Sequence, residues 1–142
     1  MALVIDIADA VVAELEQGAF SQAFAPQREV LPSFELSELS QLKVTVVPKA
    51  MEINGATRSM HSHDVQIDIG MQQHLGKDLD SEVSMLCSLV DEIAGFLRKR
   101  PLQNYQNAIW VHTVNEPVYA PEHLSQQRLF TSVLTLTYRV LQ

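Results

Sequence analysis

From Arg128 to Leu141 the chain reads RLFTSVLTLTYRVL, in which Phe130, Ser132, Leu134, Leu136, Tyr138 and Val140 alternate with Thr131, Val133, Thr135, Thr137 and Arg139. A period of two puts the two sets on opposite faces of one extended segment, so this end of the sequence predicts a long β-strand tied into a sheet. One face is apolar enough to join a core. The other is rich in threonine, neither core-like nor plainly charged, and such a face suits contact with another subunit.

The remaining segments are read the same way. Val4, Ala8, Val11, Val12 and Leu15 recur at the spacing of one helical face, with Asp9, Ala10, Glu14 and Gln17 elsewhere and Gly18 as the stop. Pro26 and Pro32 punctuate the next stretch, where residues 27–31 read as an edge strand and 35–39 as a helical turn. Leu42, Val44 and Val46 alternate with Lys43, Thr45 and Val47, but beyond Pro48 the apolar phase moves to Met51 and Ile53. That phase change predicts a bulge or bend at the proline. Asn54-Gly55 is a turn signal, yet the polar, unpatterned residues that follow predict a long loop over 54–62. His63, Val65, Ile67, Ile69 and Met71 then alternate with Asp64, Gln66, Asp68, Gly70 and Gln72 as a half-exposed strand.

A second helix is predicted from about Ser81 to Lys99, capped by Asp80 or Ser81, with Val83, Leu86, Val90, Ile93 and Leu97 on one face. Met85, Leu89 and Phe96 widen its apolar sector, which places it between the sheet and the first helix or a neighbouring subunit. Arg98, Lys99 and Arg100 suit the negative end of its dipole, and Pro101 stops it. A strand over Ala108 to Val114 and a stiff two-proline connection lead into the final strand, with Trp110, Pro117, Tyr119 and Pro121 as an aromatic and proline cluster. The expected architecture is α+β: a mixed, mostly antiparallel sheet of about four to five strands with two main helices packed on one face.

The 142 residues fit one domain, and 46% hydrophobic against 19% charged residues is an ordinary globular balance. A net charge of -7 leaves no broad basic footprint for wrapping nucleic acid, although an acidic surface lets duplex pass without sticking. Cys87 is alone and lies within an apolar helical pattern, so it reads as a small hydrophobe in a reducing compartment. The opening residues carry Asp6, Asp9 and Glu14 without a basic region, unlike a secretory signal, and no apolar run is long enough to span a membrane.

Signs of catalysis are sparse. His61, His63 and Asp64 form the densest group of metal-type ligands, and an H-x-H step on a strand puts both imidazoles on one face, but a closed site needs His74, His112 or His123 to converge on them. A polar loop entering a strand is the commoner meaning of such a run. Asp64 and Asp68, with Glu116, offer a conceivable acid and base pair, against the far commoner charged solvent face of a strand. No nucleophile elbow, phosphate loop or dinucleotide fingerprint occurs. The chain is therefore expected to be no enzyme and to need no cofactor. The loop around Thr57, Arg58 and Met60 fits an arm that orders against a partner, or a mobile surface loop.

The phrases KVTVVPK (43–49), DVQIDIGMQ (64–72), PVYAPEHL (117–124) and FTSVLTLTYRV (130–140), in this element order, resemble the tail terminators of long-tailed phages and prophages, also called tail-completion or minor tail protein U type. The resemblance covers most of the chain and implies a non-enzymatic, ring-forming homo-oligomer, hexameric in that family. Such a ring caps the tail tube, meets the tube protein and the head-proximal neck proteins, lets DNA pass without specific binding, and resides in the host cytoplasm during assembly and then in the virion tail. A head-tail joining or adaptor protein is the nearest alternative; a small metal-dependent hydrolase using His61, His63 and Asp64 is a remoter one. A ring needs two different adhesive faces. Thr57, Arg58 and Met60 on the loop, and Thr131, Thr135 and Thr137 on the last strand, are the candidates.

Overall fold

A computed structural model describes residues 2–30 and 40–142. The chain forms a five-stranded sheet and three helices, an α+β architecture. In chain order these are α1 (Leu3–Glu16), β1 (Gln27–Arg28), β2 (Lys43–Gly55), β3 (His61–His74), α2 (Leu79–Leu97), β4 (Ile109–Asn115), α3 (Pro121–Gln127) and β5 (Leu129–Leu141). The sheet order is β1-β2-β3-β5-β4; only the short β1 runs parallel to its neighbour β2, so the sheet is mixed and mostly antiparallel. The helical turn expected over 35–39 and the end of the strand expected over 27–31 lie outside the described residues.

The alternation in β3 and β5 decides which side of the sheet is covered. Val65, Ile67 and Ile69 stand directly opposite Tyr138, Leu136 and Leu134, all buried on the same face, with Val44 and Val46 of β2 beside them. Facing pairs of this kind are the unit from which a sheet gains side-chain stability. α1 lies over β2 and β3, and α2 over β5, so both helices sit directly on the sheet, side by side. The expectation that α2 lies between the sheet and α1 is thus corrected, and Met85 points to solvent at 52% exposure. Leu89 is buried, while Phe96 packs edge-on against Phe20, which in turn stacks near Phe24. These three rings fill the space beside the ends of the helices.

The face of α1 is broader than its apolar spacing suggests, because Ala10 and Glu14 are buried together with Ile7, Ala8, Val11 and Leu15. Glu14 is the informative exception to its charge. It accepts from Arg100 Nε at 2.6 Å and from the Gln103 backbone N–H at 3.0 Å, and the Arg100 guanidinium also lies 4.1 Å from the centre of the Phe96 ring. Arg100 is therefore not a free cation at a helix end. It ties the loop after α2 to α1.

Local signals account for the element ends. α2 begins two residues earlier than expected because Asp78 caps it, accepting from the Ser81 N–H, and it ends at Leu97, before the basic triplet. The connection from β3 is short, so α2 starts where β3 stops and β5 begins and runs back alongside β5, antiparallel to β4. β2 has its register shift between Pro48 and Ala50, where the phase change predicts one. The long loop over 54–62 is corrected to a hairpin: Asn54 pairs with Ser62 and Gly55 with His61, leaving only 56–60 as the turn. A helix not foreseen in the two-proline connection, α3, starts with Pro121 at its first turn and ends with Arg128 in the left-handed conformation.

Two outcomes test this core. Glu14→Ala leaves the Gln103 N–H and the half-buried Arg100 charge without their acceptor and is expected to cost about 1–3 kcal/mol in denaturant unfolding. Tyr138 is fully buried and its hydroxyl finds no hydrogen-bond partner, and burial, helped by the charge of Glu14, pushes the phenol far above its usual range. Tyr138→Phe is therefore expected to leave stability unchanged or raise it by about 1 kcal/mol in the same measurement.

Candidate interaction surface

The side of the sheet away from α1 and α2 carries the polar alternate residues of the central strands. One row across it is Glu52, Asp64 and Arg139, on β2, β3 and β5. Glu52 and Asp64 are directly opposed, an arrangement that repels on its own. Arg139 relieves it with two hydrogen bonds to Asp64, at 2.8 Å and 3.0 Å. Those hydrogen bonds hold the Asp64 carboxyl below the usual range, against a smaller opposing effect of burial, and the same pairing pushes Arg139 further up.

The residues expected to act chemically are dispersed by strand geometry. His61 and His63 share one face of β3 and Asp64 lies on the other, so the three do not surround one point. Among the described residues, no group of three His, Cys, Asp or Glu side chains is placed to hold a metal ion. Asp64 and Asp68 are four residues apart along one strand, about 13 Å, beyond the spacing of a glycosidase pair. Each is also engaged, Asp64 by Arg139 and Asp68 by the Thr135 hydroxyl at 2.6 Å. Burial, with a further push from the charge of Asp91, raises the Cys87 thiol above its usual range, which favours the unreactive form.

The residues expected to adhere divide into two groups. Thr57, Arg58 and Met60 occupy the β2–β3 turn, in which Thr57 Oγ1 accepts from the Met60 N–H at 3.1 Å. On β5, Thr131 bonds to His123 of α3 and to Gln72, Thr135 bonds to Asp68, and Thr137 is buried with an unpartnered hydroxyl. The threonine face is consequently knitted into the subunit over much of its length. Trp110 stands opposite Tyr138 while Tyr119 packs near Phe130, eight residues away along β5, so the expected aromatic and proline cluster is two separate contacts.

Exposed apolar side chains instead mark the two borders of the sheet. At the β2 border, Met51 and Ile53 are 43% and 55% exposed, with Met60 nearby in the turn. Both point to the helix-covered side, since they oppose Val65 and His63, but they extend past the helices. At the β4 border, Ile109, Val114, Val118 and Tyr119 are exposed. Because α2 lies over β5, the edge strand β4 overhangs it and leaves a groove of about 450 Å³ lined by Val90, Ala94, Gly95, Trp110 and Leu134. Gly95 opens it: a Cβ placed there would have nothing within 4 Å. Asp91, Arg98 and His112 stand around this groove. Single-sequence patterns locate the Met51 and Ile53 phase change but not the groove, which depends on where a helix lands across a sheet.

No protein-family model matches the chain, and no curated protein matches it.

The lowered Asp64 carboxyl predicts a specific acid dependence. Its contribution to stability is full above the ordinary carboxylate range and is lost as pH falls through the lowered folded value. Asp64→Asn is expected to flatten this part of the acid-unfolding profile with only a small loss near neutrality, because the pair is solvated. Unfolding midpoints measured from pH 7 down to 2 check it.

Proposed function

We propose that this chain is a non-enzymatic structural protein of a phage or prophage tail: a ring-forming terminator that caps the tail tube and provides the head-joining surface. The observation that carries the reading is the pair of unlike sheet borders, each with exposed apolar side chains, one presenting Met51 and Ile53 and the other a groove. Rings close through heterologous contacts, in which one patch of each copy meets a different patch of the next, and two unlike borders on opposite sides of one sheet meet that requirement. The sequence phrases described above supply the phage identity, and the net charge of -7 suits a conduit that duplex DNA traverses without adhering. Tail tube protein and head-proximal neck proteins are the partners on the two faces of the ring.

The reading is tested by light scattering across a concentration series together with electron microscopy of the particles. A closed ring of uniform copy number is expected. A protein that stays monomeric at the highest concentration, with no annular particles, overturns it.

A further inference from the structure

Resting on the ring reading, we propose that neighbouring copies join edge to edge into one continuous sheet: residues 50–55 of β2 in one copy pair antiparallel with β4 of the next. In this joint Met51 and Ile53 enter the groove beneath β4. The occupant of the groove is thus a second copy of this chain.

Strand direction supports the pairing. Because β2/β3, β3/β5 and β5/β4 are each antiparallel, β2 and β4 run in opposite directions within one subunit. A neighbour related by rotation about an axis along the strands keeps those directions. Its β2 therefore meets β4 antiparallel, the pairing with perpendicular hydrogen bonds. Among the described residues, β1 pairs with β2 only at Thr45 and Val46, and no strand pairs with the far side of β4. Main-chain pairing of two edges provides affinity, and pockets for alternate side chains provide selectivity.

The faces match as well. A continued sheet keeps its helix-covered side in common, which brings Met51 and Ile53 to the side where Val90, Ala94, Gly95 and Leu134 leave their groove. Two-fold alternatives do worse: β4 against β4 sets groove against groove, and β2 against β2 sets protruding side chains against each other.

Two full-length variants test the joint, each first checked for its fold by far-UV circular dichroism and thermal unfolding. Gly95→Leu fills the groove from within while favouring the helix, so it is expected to keep or raise the melting temperature and to raise the concentration at half-assembly at least tenfold. Met51→Lys, at an exposed position, is expected to do the same. If the unaltered protein is monomeric, the ring reading itself fails. If it forms rings that both single variants leave intact when folded, the ring reading stands and the edge joint is overturned, as it is by a two-fold dimer.

Discussion

The pairing of β3 with β5 is the constraint on which the rest of this structure depends. Both are long strands with one mainly apolar face, and their register sets Val65, Ile67 and Ile69 against Tyr138, Leu136 and Leu134. A slip of one residue would turn every one of these side chains to the polar side, so the hydrophobic pattern fixes the register strongly. Once that pair is set, α1 and α2 have a single apolar surface on which to bury their own stripes. They settle next to each other over β2, β3 and β5, and nothing among the described helices covers β4.

The two helices are joined less by direct packing than by what lies at their ends. Glu14 reaches from α1 to Arg100 and to the Gln103 N–H, and Phe20 meets Phe96. A carboxylate buried this deeply persists because its acceptor sites are used by a cation and a backbone donor, since either left alone would be costly. The loop after α2 thereby acquires a fixed position, and the Lys99 backbone turns through the left-handed region within it. Fixing this loop fixes the start of β4.

The sequence is most legible where one physical requirement acts alone. β3, β5 and the bulge at Pro48 follow from period-two alternation and its interruption. Other parts need information that patterns do not hold. α3 has no buried residue, so its seven residues show no apolar face to read. Beyond Ile53 the hairpin tip is polar and exposed, so no alternation marks Asn54 and Gly55 as strand rather than loop. Glu14 reads as a solvent residue because its partner is 86 positions away. The groove is invisible in one dimension: Ala94 and Gly95 are ordinary small residues until α2 is seen to stop short of β4. His61, His63 and Asp64 fail to converge for the simplest reason, that neighbouring residues of a strand face opposite ways.

Both borders of the sheet carry a bulge, between Pro48 and Ala50 on β2 and between Trp110 and His112 on β4. A bulge bends its strand and increases the local right-handed twist. The borders are therefore angled away from the mean plane of the central strands, and anything added to them departs from that plane by a fixed amount. A flat sheet extended edge to edge makes an endless ribbon, whereas a constant turn at each junction makes a ring when the rotation closes and an open helix when it does not. In this chain the two inserted residues, Lys49 and Val111, are where such an angle would be set.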